Sequence, residues 1–293
     1  VANVPEGLLP TLTLSLAFAV RRMAKRKALV KRLSAVETLG ATTIILTDKT
    51  GTLTENEMTV REIWTVEGVS TVTGNGYEAV GEIDPGIDEF KRESVVDLLL
   101  TAALCCDARL VRNGDGKNVN AIGDPTEAAI LVAAEKIGLT REVLKTNERL
   151  SELPFDSVRK RMSTIQLVGG RPVVCVKGAL HEVLQLCTKI RRKRRTIRIT
   201  EEYRGSILES HNLLAHKGLR VLAVARREAD EKVQKVSGEW RTSDVERDLT
   251  FLGLIAMEDP PRPEVASAIR NCHTAGIRVV MVTGDDGLTA AAI

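Results

Sequence analysis

The chain of 293 residues is long enough for about two domains. Hydrophobic residues make up 43 % and charged residues 28 % of it, which fits a packed globular body. An aromatic content of 3 % argues against modules that stack nucleic-acid bases, and a net charge of +3 does not by itself indicate a polyanionic partner. Five cysteines without a Cys-x-x-Cys pair predict reduced thiols rather than a disulfide framework.

Residues 1–20 form an apolar stretch of about the length that spans a bilayer. The basic cluster from Arg21 to Lys27 follows it, which predicts a cytoplasmic flank. This order is the reverse of a secretory signal peptide. We therefore expect a membrane helix over 1–20, a lipid bilayer as partner, and an integral membrane protein whose remaining chain is mostly cytoplasmic. An amphipathic core helix or a targeting peptide is the alternative.

A proline and a glycine flank a carboxylate inside this stretch, at Pro5, Glu6 and Gly7. Proline removes a backbone donor and glycine loosens the turn, so the helix is predicted to break here. A carboxylate within a membrane helix requires a functional partner. The predicted partner is a buried cation, whose ligands we expect to be the carbonyls of Val1, Ala2 and Val4 and the carboxylate of Glu6.

An apolar run over residues 42–47 predicts a buried strand that ends at Asp48. The following Lys-Thr-Gly-Thr-Leu-Thr forms a loop whose N–H and O–H groups can hold phosphate oxygens, and a carboxylate at this place can attack a phosphoryl group. The seven residues from Asp48 to Thr54 resemble the phosphorylation motif of P-type ATPases, the ion pumps that form an aspartyl-phosphate.

This resemblance implies ATP as substrate and Mg²⁺ as cofactor, with Asp48, Lys49 and Thr50 in the catalytic centre and Mg²⁺ on Asp48 and the Thr50 carbonyl. Residues 1–8 resemble the unwound fourth membrane helix of the same family, and 21–40 resemble its cytoplasmic stalk. A glutamate at Glu6, with no cysteine beside the proline, is similar to the calcium-type and sodium/potassium-type pumps. We favour calcium.

The region from 61 to 247 has its own strands and helices and is predicted to be an inserted α+β domain. Four short elements in it resemble the nucleotide-binding domain of the family, although Ser157 and Leu180 depart from its pattern. Each element also has a structural interpretation: a helix start, a core phenylalanine, a glycine loop and a buried arginine in a salt bridge. The resemblance implies nucleotide contacts from Glu127, Phe155, Lys160, Lys177, Gly178 and Arg220.

The last part of the chain predicts a strand over 251–257, a helix over 264–275 and a strand over 277–282. Together with the Asp48 strand, the helix and the strand over 277–282 indicate a parallel doubly wound sheet, which binds ligands at the carboxyl ends of its strands. The fold class is therefore α/β, a partial haloacid-dehalogenase-like sheet divided into residues 41–60 and 248–293. The resemblance adds Thr283, Gly284 and Asp285 to the catalytic residues and Asp259 and Arg262 to the nucleotide cleft.

The basic run from Lys189 to Arg195 is interpreted as a solvated loop. Contact with an anionic membrane surface or an acidic regulator is the alternative. A nucleic-acid partner is not expected, since no binding module accompanies the run.

These features predict ATP-driven cation transport through an aspartyl-phosphate. The chain resembles the middle third of such a pump, so its expected partners include the actuator domain, the other membrane helices and a magnesium-binding segment. We expect it to bind nucleotide weakly without turnover. A soluble haloacid-dehalogenase-like phosphatase or phosphotransferase and a non-enzymatic nucleotide-sensing module remain alternatives.

Overall fold

The structure, a computed structural model, describes residues 7–83, 89–112, 119–228 and 242–283. The predicted site residues Val1, Ala2, Val4, Glu6, Gly284 and Asp285 lie outside these ranges. The helices are α1 Leu8–Lys25, α2 Ser34–Gly40, α3 Glu89–Leu104, α4 Pro125–Glu135, α5 Arg141–Lys145, α6 Leu180–Leu184, α7 Glu201–His216, α8 Thr242–Val245 and α9 Val265–Thr274. The strands are β1 Ile44–Asp48, β2 Thr59–Thr65, β3 Gly68–Thr71, β4 Arg109–Arg112, β5 Val119–Ile122, β6 Glu148–Asp156, β7 Arg161–Val168, β8 Arg171–Gly178, β9 Cys187–Arg192, β10 Arg195–Arg198, β11 Arg220–Glu228, β12 Leu249–Glu258 and β13 Arg278–Val282.

The first helix differs from the predicted membrane span. It begins at Leu8 and continues through Arg21, Arg22 and Lys25, since arginine, lysine, methionine and alanine are all good helix formers. The part of the basic cluster from Arg21 to Lys25 thus belongs to the helix, and Arg26 and Lys27 follow its end. Among the described helices, none is long and apolar enough to cross a membrane.

The described chain divides into two compact units, of which the first holds residues 7–49 and 263–282. Strands β1 and β13 pair in parallel within it, as the sequence predicts, and Asp48 lies opposite Val282 at their carboxyl ends. The prediction that β1 is buried is wrong for the described residues, because Ile44, Leu46 and Asp48 are exposed. Helix α9 packs beside β13. In the described residues this sheet has two strands, and the complete wound sheet stays a prediction.

The second unit holds a nine-stranded sheet in the order β10-β9-β12-β11-β8-β7-β6, with β2 on β12 and β3 on β2. All of its pairings except β9 with β12 are antiparallel. Strand β12 belongs to this sheet, so the unit extends past the expected boundary at residue 247. Strands β4 and β5 form a separate antiparallel pair.

Helices cover both faces of the nine-stranded sheet. Alternate side chains of β12 point to opposite faces, so that Leu254 and Ala256 join the core under α6 and α7. Ile255 and Met257 join the core under α3 and α4. Because both faces are covered, β12 is apolar along nearly its whole length. The described unit thus combines sheet and helices.

Candidate functional site

Asp48 is exposed at the carboxyl end of β1. Its Oδ1 accepts a hydrogen bond of 2.8 Å from the Lys49 N–H, while Lys49 itself is buried. The Asp48 residue is thus exposed, and the parallel strand β13 fixes its backbone. Those are the properties that a nucleophile toward a phosphoryl group requires.

The loop after Lys49 turns at Gly51, which has a φ of +75° that favours glycine. The Gly51 N–H donates to Thr54 Oγ1 at 3.1 Å, and the Thr54 hydroxyl donates to Asp259 Oδ2 at 2.6 Å. The Arg262 guanidinium donates to the Gly51 carbonyl at 3.0 Å, and the Arg262 N–H donates to the Leu53 carbonyl at 2.9 Å. Asp259 and Arg262 therefore hold the loop of residues 50–54, and their contact with a nucleotide stays a prediction.

Glu57 lies next to this loop among other acids. Its N–H donates to Asp259 Oδ1 at 3.2 Å. Burial raises the pKa of Glu57, and the charges of Glu55 and Asp259 raise it further against the opposing effect of Arg262. In the described chain, no group of three or more histidine, cysteine or acidic residues is arranged to hold a metal ion.

The structure brings together two of the predicted nucleotide residues, Glu127 and Lys177, in a buried ion pair with Nζ and Oε1 2.6 Å apart. Glu127 is 9 % exposed and Lys177 is 7 % exposed. The other carboxylate oxygen of Glu127 accepts from the N–H groups of Asp107 and Ala108 at 2.7 and 2.8 Å. Both carboxylate oxygens of Glu127 thus have partners within the protein.

The lysine of this pair has further partners. Its ammonium group also donates to the Cys105 carbonyl and contacts Cys106 Sγ at 3.3 Å. Burial acts to lower the pKa of Lys177, but Cys106, Cys105 and Glu127 outweigh it and raise the pKa. Burial also raises the pKa of Cys106 to about 12, so this thiol is neutral near pH 7.

Helix α4 positions Glu127 in its first turn. Asp124 caps the helix, accepting from the Thr126 N–H at 2.7 Å, and Pro125 occupies the first helical position. The sequence predicted a helix start here, and the helix begins at Pro125. Carboxylates are favourable at this end because it carries the positive pole of the helix dipole.

The remaining predicted nucleotide residues lie along one end of four neighbouring strands. Phe155 is near the end of β6, Lys160 precedes β7, Gly178 ends β8 and Arg220 begins β11. Arg161 is opposite Gly178 in the sheet, and a Cβ atom on Gly178 would lie 2.5 Å from the Lys160 carbonyl oxygen. Gly178 therefore permits the close packing of the Lys160 turn on β8.

The exposures at this end correct two structural interpretations. Phe155 is 64 % exposed, so it is not a core phenylalanine. Arg220 is exposed, with no ion pair or hydrogen bond from its side chain to another described residue, so it is not held in a buried salt bridge. Lys160 is exposed and forms a 3.3 Å ion pair with Glu182. An exposed ring and two exposed cations at one sheet end suit a ligand that combines an aromatic base with phosphates.

Glu246 is a site residue that the sequence did not indicate. Its side chain is 1 % exposed and accepts from Arg159 at 2.5 Å, Arg161 at 2.7 Å and the Ser163 hydroxyl at 2.6 Å. Lys160, between the two arginines, has a φ of 48°, in the left-handed region. Glu246 thus fixes the turn that presents Lys160. A lone glutamate in Val-Glu-Arg-Asp matches no motif, and only the fold brings it to partners more than 80 residues away.

Asp48 lies opposite Val282 in the first unit, and Thr283 is the next residue along the chain. The expectation that Thr283 joins the phosphate site stays a prediction, as do the roles of Gly284 and Asp285. The five cysteines are free thiols, which agrees with the absence of a disulfide framework.

Comparison with known proteins identifies the family. Residues 94–264 match the model of the cytoplasmic N domain of P-type ATPases. Over its whole length the chain is 41 % identical to a probable cation-transporting ATPase F of Mycobacterium bovis, 39 % identical to a calcium-transporting ATPase of Bacillus subtilis and 37 % identical to the human calcium-transporting ATPase type 2C member 1. It covers 32 %, 33 % and 30 % of those proteins, about a third of the length of the curated relatives it matches. Because the N-domain match extends over more than half of its residues, the chain belongs to the P-type ATPase family.

Proposed function

We propose that this chain is the catalytic part of an ATP-driven calcium pump and that Asp48 carries the phosphoryl group. The observation that supports this most is the exposed Asp48 carboxylate at the end of β1, followed by a glycine turn that Asp259 and Arg262 hold. Two of the similar proteins are named calcium-transporting ATPases, which supports calcium as the cation.

In the proposed reaction an Asp48 oxygen attacks the γ-phosphorus of ATP. A bond forms between this oxygen and phosphorus, the bond from phosphorus to the β–γ bridging oxygen breaks, and ADP leaves with that electron pair. Lys49, Thr50, Thr283 and Gly284 would stabilise the charge that develops on the phosphoryl oxygens. Water later hydrolyses the aspartyl-phosphate.

Magnesium fits the chemistry of Asp48 and Thr50, because Mg²⁺ prefers oxygen ligands and usually takes only one or two carboxylates from the protein. The Asp48 carboxylate has one oxygen engaged by the Lys49 N–H, which leaves the other for a ligand. Once bound, Mg²⁺ would neutralise charge on the transferring phosphoryl group.

Nucleotide binding is assigned to the sheet end that carries Phe155, Lys160 and Arg220. The Phe155 ring would stack on adenine, and the two cations would contact phosphates. Glu127 and Lys177, already paired with each other, would form the floor of this site. Glu246 would act as a positioning residue for the Lys160 turn.

The test is phosphoenzyme formation by the full-length protein in membranes, with γ-labelled ATP and with Ca²⁺ and Na⁺ varied separately. We expect an acid-stable, hydroxylamine-sensitive label that requires Ca²⁺, is absent in Asp48→Asn and persists in the exposed control Glu202→Gln. A label that requires Na⁺ would instead assign the protein to the sodium/potassium-type pumps. Label independent of any cation would favour a haloacid-dehalogenase-like phosphotransferase. The absence of label under every cation would leave a nucleotide-binding module and end the pump proposal.

A further inference from the structure

The hairpin of β9 and β10 forms one edge of the nine-stranded sheet and is strongly basic. The proposed ATP chemistry uses none of its residues. Its basic side chains belong to Lys189, Arg191, Arg192, Lys193, Arg194, Arg195 and Arg198.

Some of these cations have structural partners. Arg191 forms an ion pair with Asp97 at 3.2 Å, and Arg194 forms one with Glu93 at 2.6 Å. The Arg192 guanidinium donates to the Tyr203 hydroxyl at 2.9 Å. These contacts attach the hairpin to α3 and α7 and account for part of the run.

Lys193 Nζ lies over the Phe90 ring, 5.2 Å from its centroid. The three other cations have no such partners: Lys189, Arg195 and Arg198. All three are exposed, and within the described residues no hydrogen bond or ion pair from their side chains is present. The pairing of β9 with β10 nevertheless places each of these three cations next to another positive charge.

Like charges lie directly opposite each other twice in this hairpin. Arg195 is paired with Arg192, and Arg198 is paired with Lys189. Directly opposed like charges destabilise a strand pair, so the hairpin carries a repulsion that a bound anion would relieve. Because side chains alternate along a strand, the two pairs lie on opposite faces of the hairpin.

The outer edge of β10 is also open. Strand β10 pairs with β9 and with no other described strand. Just after β10, the Ile199 N–H donates to the Thr188 carbonyl of β9 at 3.0 Å. By the alternation of an antiparallel ladder, the N–H and C=O groups of Thr196 and Arg198 therefore point to the outer edge. Such groups are a template for the addition of a further strand.

We propose that the outer edge of β10 binds an acidic protein segment in extended conformation, which adds as a further antiparallel or parallel strand. Successive side chains of an extended segment point to opposite faces, so acidic residues along it reach both like-charge pairs. A flat anionic membrane contacts one face of the hairpin, which is why the two-faced charge arrangement favours a protein segment.

The probe is a fluorescent peptide of sequence Glu-Thr-Glu-Glu-Val-Glu-Thr-Glu, titrated with the 293-residue chain and followed by anisotropy. Arg195→Glu/Arg198→Glu is expected to weaken binding by at least about tenfold, because like charges across an interface cost several kcal/mol. The matched control is Arg141→Glu/Arg171→Glu, which makes the same charge change at exposed positions outside the hairpin and should leave binding within about twofold.

Folding and strand addition are tested separately. The hairpin variant places opposite charges across both strand pairs, so its thermal midpoint should be equal to or above that of the parent chain. A second peptide has the same side chains but alternate N-methylated amides, so it keeps the charge and loses the ladder donors. We expect this peptide not to bind.

Three results would overturn the proposal. Equal binding of the methylated peptide would indicate a nonspecific polyanion surface. Equal weakening by the control variant would indicate an effect of overall charge. Binding to phosphatidylserine vesicles through Arg195 and Arg198, without binding to either peptide, would indicate a membrane contact instead.

Discussion

Asp48 and Glu127 are carboxylates at the ends of regular elements, but their surroundings are opposite. Asp48 is exposed at the end of β1 and accepts one short-range hydrogen bond. Glu127 is buried in the first turn of α4, where Lys177 and two backbone N–H groups occupy its oxygens. The Asp48 residue is exposed, whereas both carboxylate oxygens of Glu127 have partners within the protein. Residue type and position at an element's end therefore do not distinguish the proposed nucleophile from a carboxylate held in a buried ion pair, and burial with its partners does.

Breaking the ion pair should have the largest effect. Lys177→Met leaves the Glu127 carboxylate buried without its cation, so we expect the free energy of unfolding to fall by about 3–5 kcal/mol. Urea denaturation of the 293-residue chain, followed by circular dichroism, measures it. Two controls change an exposed charge: Asp48→Asn and Lys160→Met should each stay within about 0.5 kcal/mol of the parent. A loss below about 1 kcal/mol for Lys177→Met would mean that the pair does not hold the fold.

Removing the charge of Glu246 should have the next largest effect. Glu246→Gln keeps the shape but weakens the hydrogen bonds from Arg159 and Arg161, for an expected loss of about 2–3 kcal/mol. Isothermal titration with ATP should also show weaker binding, because the turn that presents Lys160 loosens. Glu182→Gln removes the exposed partner of Lys160 and is the control. Unchanged ATP affinity together with lost stability would limit Glu246 to a structural role.

Glu57 lies among acidic residues beside the loop of residues 50–54. We expect its substitution to have a small effect on the thermal midpoint, and this effect should depend on pH. The pKa of Glu57 in the folded chain is raised above its ordinary value of 4.5, chiefly by burial. The protonated form therefore favours folding, with its full contribution below pH 4.5, and this contribution is lost as the pH rises through the raised pKa. Glu57→Gln should raise the thermal midpoint at pH 7 and match the parent at about pH 4.

The control for this substitution is Glu78→Gln, which removes a charge from an exposed position near Glu57. It should change the midpoint less than Glu57→Gln does at pH 7. A midpoint difference for Glu57→Gln that is the same at both pH values would contradict a role for its ionisation.

Short sequence patterns predicted the features that depend on neighbouring residues, namely strands and a helix start. The apolar runs gave β1 and β13 within a few residues, and the Gly-Asp-Pro-Thr-Glu segment gave the start of α4. The partners of Glu127 and Glu246 could not be predicted in this way, because Lys177 is 50 positions from Glu127 and the partners of Glu246 are farther still. The end of the first helix was predicted too early for another reason. Hydropathy falls at Arg21, whereas the helix-forming residues continue to Lys25.

The position of β12 in the sheet has a consequence for synthesis on the ribosome. One edge of β12 pairs with β11, and its other edge pairs with β9 and β2. Among the described strands of this unit, it is also the last to be made. Until Glu258 has left the exit tunnel, β2, β9 and β11 each lack their common neighbour and expose an unpaired edge. Nascent chains arrested before this point should therefore be the ones that aggregate or recruit chaperones, and completion of β12 should release them.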